Sequence, residues 1–169
     1  TDRHTLRAGP LEMDFDPATG WLRRVRLGGR EVLRAVYPAV RDRFWNTLPN
    51  VLSNLTVEEH DNGFRLAFDA GCRRGEIDFT FRGTLTGTAD GTVRYDFAGT
   101  ARSPFRKNRI GLCVLHPIAG CAGEPCDIEH ADGTIEASRF PTEIGPHQPF
   151  HDLRVVTHEA APGVRLQVR

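Results

Sequence analysis

Glu143, His147 and His151 recur every four residues late in the chain, and His116 closes an apolar run just before Pro117. A carboxylate with imidazoles is the kit of general acid–base chemistry, because imidazole exchanges its proton near neutral pH. Pro146 and Pro149 exclude a helix there. In an extended segment the even spacing still puts all three side chains on one side. With His116 at a strand end, they form a candidate acid–base set for a sugar or lactone. The competing reading is a loop of solvated histidines among prolines. No Gly-x-Ser-x-Gly elbow, phosphate-binding glycine loop or His-Glu-x-x-His occurs, so nucleophilic serine chemistry has no support.

A second set is Cys113, His116, Cys121, Cys126 and His130. Zinc needs four such ligands converging at roughly 2.0–2.3 Å. The spacing lacks the tight Cys-x2-Cys knuckle, and strand alternation sends Cys113 and His116 to opposite faces. The expectation is therefore no metal and no cofactor, with Cys113 buried. Cys121 and Cys126 flank Ala-Gly-Glu-Pro and could meet across a turn as a disulfide if oxidised.

The third set is Arg41-Asp42-Arg43-Phe44-Trp45-Asn46. An indole offers a face to the apolar side of a sugar ring, and guanidinium forks bind hydroxyls or a carboxylate. Arg43, Trp45 and Asn46, joined by Arg109 from Lys107-Asn108-Arg109, are the candidate substrate-binding residues. The competing reading buries Trp45 under its loop and leaves the arginines in solvent.

The rest of the chain limits who the partners are. Its 169 residues carry 22 Lys+Arg against 22 Asp+Glu, a formal net charge of zero. No global basic field recruits nucleic acid or an anionic membrane surface. The longest apolar run, around Ile110 to Leu115, is far short of a membrane span. The first residues are polar and lack the apolar stretch of a secretory signal, so the expected compartment is the cytoplasm and the four cysteines are expected to be reduced. Asn54-Leu55-Thr56 is then a chance sequon.

The elements that must hold these residues read as β-strands. Ile77, Phe79, Phe81 and Leu85 alternate with polar residues, and so do Val93, Tyr95 and Phe97 after Ala89-Asp90-Gly91. Asp-Gly between alternating segments predicts a hairpin, with positive φ at both central residues of a type I′ turn. Leu66 and Phe68 follow the Asp61-Asn62-Gly63 turn in the same manner, and a Gly28-Gly29 turn follows Leu22 to Leu27. Residues 108–116 are apolar on both faces and predict a central strand covered on both sides. Residues 31–43 carry a helix-like stripe, but Pro38 breaks it and favours a strand. Two further strands flank Pro162-Gly163, and the chain stops inside a strand pattern. Turns about every ten residues and the absence of a long helix predict an all-β, antiparallel two-layer β-sandwich, incomplete at its C-terminal end. Residues 1–169 read as one domain of a longer protein, whose open last strand would favour an edge-to-edge homodimer.

Three strings of residues also carry a family resemblance: Ala39-Val40-Arg41-Asp42-Arg43-Phe44-Trp45-Asn46-Thr47, Lys107-Asn108-Arg109-Ile110-Gly111-Leu112-Cys113-Val114-Leu115-His116-Pro117, and Pro146-His147-Gln148-Pro149-Phe150. They resemble the N-terminal region of the D-apionate lactonase family, bacterial proteins of sugar-acid catabolism. The resemblance implies a β-sandwich similar to the galactose-mutarotase-like supersandwich, followed by a TIM-like barrel and a small β domain. Such barrels usually hold the catalytic groups. This chain alone would then not be a complete enzyme. It would pack on the catalytic barrel and contact a sugar acid or lactone, with Trp45 on a ring, Arg43 and Arg109 on a carboxylate or hydroxyls, and His116 and His147 orienting or transferring protons.

Two other readings stay open. In a self-contained mutarotase-like epimerase or lactonase, a histidine pair protonates the ring oxygen while Glu143 removes the anomeric proton. In a structural module without a ligand, Trp45 is buried.

Overall fold

Alternation of dry and wet side chains builds most of this structure, a computed structural model that describes residues 3–144 and 148–169. The chain is all-β and divides into two compact units, Thr1–Leu115 and His116–Arg169.

The first unit is an antiparallel β-sandwich. One sheet has the order β1 (His4–Ala8), β2 (Leu11–Asp16), β3 (Trp21–Leu27), β4 (Arg30–Asp42) and β9 (Lys107–Leu115). The other runs β5 (Val51–His60), β6 (Gly63–Arg74), β7 (Ile77–Gly87) and β8 (Val93–Ala101). Phe15 from the first sheet meets Phe68 from the second at 5.7 Å between ring centroids. The Tyr95 hydroxyl donates across the sandwich to the Gly20 carbonyl at 2.7 Å. As expected, Ile77, Phe79, Phe81 and Leu85 face inward on β7.

Gly83 and Gly87 extend that inward face. A Cβ on Gly83 would overlap the Phe68 ring, and one on Gly87 the Phe64 ring, so both glycines make room for aromatic side chains of β6.

Asp14 is buried in the first sheet and holds two arginines. It accepts from Arg24 Nε at 2.7 Å and from Arg26 Nη1 at 3.2 Å. Burial pushes its carboxyl pKa up, but Arg26 and Arg24 outweigh that and leave it below the usual aspartate value. Arg24 takes a left-handed φ of 50° to make this contact.

The segment 31–43 is strand as expected up to Asp42, where β4 ends and the turn begins. Val32, Leu33, Ala35, Tyr37, Pro38, Ala39 and Val40 are all buried, which is why both faces read as apolar. Pro38 fits because the β3–β4 ladder ends at Leu22↔Val36, and the Pro38 carbonyl is approached instead by Asn50 Nδ2 at 3.5 Å.

Two expectations are corrected. β9 is not a central strand: it pairs with β4 and lies at the sheet edge, with Leu112 and Leu115 37% and 41% exposed. Two apolar faces mark a strand fit for covering, and among the described residues that cover is incomplete. The Asp90-Gly91 connection is not a two-residue turn either, because the strands end at Gly87 and Val93. Only Gly91 has positive φ, while the Asp90 carboxylate ties the loop by accepting from Thr88 Oγ1, Thr92 N and Thr92 Oγ1. The two-residue turn with two left-handed residues is instead Gly28-Gly29, with φ of 54° and 81° between β3 and β4.

The second unit is a four-stranded antiparallel sheet in the order β11 (Ile135–Arg139), β10 (Pro125–His130), β12 (Leu153–Ala161) and β13 (Val164–Val168). Cys121, Cys126, Ile128, Phe140 and Val156 form its core, with Phe150 packed against them. The two late strand segments are β12 and β13, joined at Pro162-Gly163 as the sequence suggests.

Candidate functional site

The loop from β4 to β5 is organised by a single carboxylate. Asp42 Oδ1 accepts from the backbone N–H of Phe44 at 2.8 Å and of Asn46 at 3.0 Å, and Oδ2 accepts from Asn46 Nδ2 at 3.0 Å. Donation by the Asn46 side chain, with the two backbone N–H groups, holds the Asp42 carboxyl below its ordinary pKa. The loop is closed by Leu48 N donating to the Val40 carbonyl at 2.9 Å. Trp45 at the tip takes a left-handed φ of 71°, an uncommon conformation for a bulky side chain.

That conformation leaves Trp45 53% exposed. The Arg109 guanidinium lies 5.5 Å from the indole centroid and that of Arg41 6.0 Å. Both are within cation–π range, so two guanidinium groups approach an indole that is still more than half exposed. Arg41 is positioned from behind by its Nη2, which donates to the Tyr37 hydroxyl at 3.2 Å. Tyr37 stacks on Trp21 at 3.9 Å, and Arg23 covers Trp21 at 4.1 Å. Rings and guanidinium groups thus line the outer face of the first sheet.

Among the expected binding residues, Trp45 and Arg109 come together. Arg43 is oriented elsewhere, 4.6 Å over the Phe44 ring, and Asn46 is engaged with Asp42. Arg41 stands in the candidate string but not among its expected binding residues, and Tyr37 and Trp21 lie outside it. Their signal was alternation: Trp21 and Arg23, like Tyr37 and Arg41, lie an even number of residues apart and share one face.

The acid–base candidates lie in the second unit. His116 packs 4.9 Å from Phe140 and 5.2 Å from His158 between ring centroids. Its Nε2 is buried without a hydrogen-bond partner, and the His158 side chain beside it is buried too. Burial, helped by the charge of His158, lowers the His116 pKa to about 4. At neutral pH His116 is thus a neutral imidazole in an apolar setting. Glu143 is exposed on the segment after β11, and His147 lies outside the described residues.

Among the described residues no group of three or more His, Cys, Asp or Glu side chains is placed to hold a metal ion. Cys113 packs against the Tyr37 cluster, and His130 Nε2 meets Glu136 Oε2 at 3.0 Å. Cys121 and Cys126 are buried and no disulfide joins them. Among the described residues no helix is long and apolar enough to cross a membrane.

Comparison with known proteins places these observations. The chain is 41% identical over 165 residues to D-apionate lactonase of Brucella anthropi, an alignment covering 97% of this chain and 27% of that protein. The chain therefore spans about a quarter of the length of this relative. No solved structure matches it. Residues 1–169 match the family of the D-apionate lactonase N-terminal domain along their whole length, and the chain belongs to that family.

Proposed function

We propose that this chain is the β-sandwich module of a sugar-acid lactonase, which packs on a catalytic barrel and presents the Trp45 loop to a sugar acid or lactone. The carrying observation is Trp45, more than half exposed at a loop tip and flanked by the guanidinium groups of Arg41 and Arg109. In this reading the indole covers the apolar face of the ring, and the two arginines bind a carboxylate, a lactone carbonyl or hydroxyls. Arg41 takes the place first expected of Arg43. Lactone opening itself belongs to the barrel.

The edge strand supports the packing half of the proposal. β9 offers an edge that no other described strand pairs, and Leu112 and Leu115 on it are exposed. An edge with exposed leucines is a surface that proteins normally cover.

Titration of the 169-residue chain with aldonates and aldonolactones, D-apionate included, tests the sugar contact through tryptophan fluorescence. The expected result is a saturable change that disappears in Trp45→Phe and weakens in Arg109→Ala, while Trp21 still reports a folded chain. No change with any of these compounds would remove the sugar contact from the proposal.

A further inference from the structure

The outer face of the second sheet carries a trough of about 480 Å³, lined by side chains of all four strands β5 to β8. Small residues open it: Gly71 on β6 and Ala98 on β8 leave the sheet surface low where neighbours carry longer side chains. Its floor is rigid, since Asp69, Arg82 and Ala98 share one ladder row and Gly71, Thr80 and Thr100 the next.

The polar groups around the trough are fixed before any ligand arrives. Asp69 accepts from Arg82 Nη1 at 2.9 Å and from Asn54 Nδ2 at 2.8 Å. Asn54 reaches Asp69 from a β5 bulge and with a left-handed φ of 53°. The bulge, with a left-handed turn of the backbone that asparagine readily adopts, aims one side chain at that carboxylate. At the other end Arg102 donates through Nε to Thr80 Oγ1 at 3.0 Å, and its backbone N–H donates to the Asp78 carbonyl at 2.8 Å. Among the described residues Arg102 has no carboxylate partner. In the adjoining row Arg73 and Asp78 neutralise each other at 3.2 Å.

Two guanidinium groups against one carboxylate leave the trough one positive charge in excess. The free charge lies at the Arg102 end, while hydroxyls of Thr80 and Thr100 and the oxygens of Asp69 lie along the trough. We propose that this trough is a binding site for a small polyhydroxylated carboxylate. The ligand carboxylate pairs with the Arg102 fork, and its hydroxyl groups bond to Thr80, Thr100 and Asp69. A neutral sugar leaves the Arg102 charge unanswered, and a plain carboxylate leaves the rest of the trough unused. This site is on the opposite sheet from Trp45 and does not rest on the reading given above.

The test is an amide NMR titration of the 169-residue chain with D-gluconate, with acetate and D-glucose as single-feature controls. The expected result is saturable shifts at Gly71, Thr80 and Thr100 with gluconate, and far weaker ones with either control. Arg102→Gln should weaken gluconate binding about tenfold or more, the loss of one charge-assisted contact. Gly71→Leu should abolish it by filling the trough. That variant should fold, because a Cβ at Gly71 meets no heavy atom within 4 Å and its φ is not left-handed.

Equal shifts with acetate, unchanged binding in Gly71→Leu, or no shifts at these amides would each overturn the proposal. Shifts confined to the Trp45 indole would overturn it too while supporting the loop reading. Trough shifts without any Trp45 response would do the reverse.

Discussion

The ring of Phe68 occupies the space that a Cβ on Gly83 would need. Phe68 is fully buried and lies 5.7 Å from Phe15 of the facing sheet, so it cannot yield without disturbing the sandwich. Gly83→Ala should therefore destabilise the chain by ~1–3 kcal/mol, the usual cost of overpacking a close-packed core. Gly71→Ala, on the same sheet but facing open space, should be neutral or slightly stabilising. Urea melts of the two variants make the comparison, and equal stabilities would contradict this account of Gly83.

Acid should loosen the chain well above the range in which its carboxylates titrate. His116 has its pKa lowered to about 4 by burial, and His158 is lowered too, also by burial. An unfolded histidine titrates near 6.5, so between about pH 6.5 and 4 the unfolded chain binds the proton that folded His116 refuses. Stability is then intact above pH 6.5 and falls as pH drops toward 4, by about 3 kcal/mol for His116. Asp14, whose pKa is lowered, acts in a lower window, its contribution being lost below the ordinary aspartate value. Denaturant midpoints of the wild-type chain and His116→Leu between pH 4 and 7 check this. The variant should show a clearly shallower dependence, and parallel curves would refute the assignment.

The exposed leucines of β9 separate folding from docking. Leu112 and Leu115 contribute little to the isolated chain because each is more than a third exposed. Leu112→Lys and Leu115→Lys should therefore shift its melting temperature by no more than a few degrees. In a longer protein with the barrel, the same changes should lower stability or turnover several-fold. A longer protein indifferent to both substitutions would show that the barrel does not cover this edge.

What could be read from the sequence, and what could not, follows from how far each feature depends on register. β7 and β8 are legible because Ile77, Phe79, Phe81 and then Val93, Tyr95, Phe97 alternate within one segment. β4 and β9 were harder: two apolar faces say that a strand can be covered, not that it is, and only topology makes β4 interior and β9 an edge. Trp45 and Arg109 stand out by residue type, and the fold brings the two side chains within 5.5 Å. That Arg41 lies near the Trp45 ring while Arg43 turns over Phe44 goes with the Asp42-centred turn and is not legible from spacing. His116 was visible, but its neighbour His158 comes from a distant strand and its environment is apolar. The link from Asn54 through Asp69 to Arg82 spans three strands, and only their pairing reveals it.

Asp42 offers a way to disturb the Trp45 loop without touching the indole or the guanidinium groups of Arg41 and Arg109. Its carboxylate accepts three hydrogen bonds within residues 42–46, beside the backbone bonds from Trp45 N to the Asp42 carbonyl at 3.1 Å and from Asp42 N to the Asn46 carbonyl at 3.0 Å. Asp42→Ala removes both acceptor oxygens, and with them all three of these hydrogen bonds, at a half-buried position, so the stability cost should stay at about 1 kcal/mol. The tip should lose its fixed left-handed Trp45 and with it the alignment of the indole with Arg41 and Arg109. Binding of a sugar acid at the loop should weaken about tenfold, because the ligand must then order the loop itself. Asp42→Asn keeps one carbonyl acceptor and should fall between the two. Fluorescence titration and melting on the same three proteins separate the effects: a fall in affinity without a matching fall in melting temperature marks Asp42 as a positioning residue. Unchanged affinity in Asp42→Ala would mean that the ligand does not use the ordered tip.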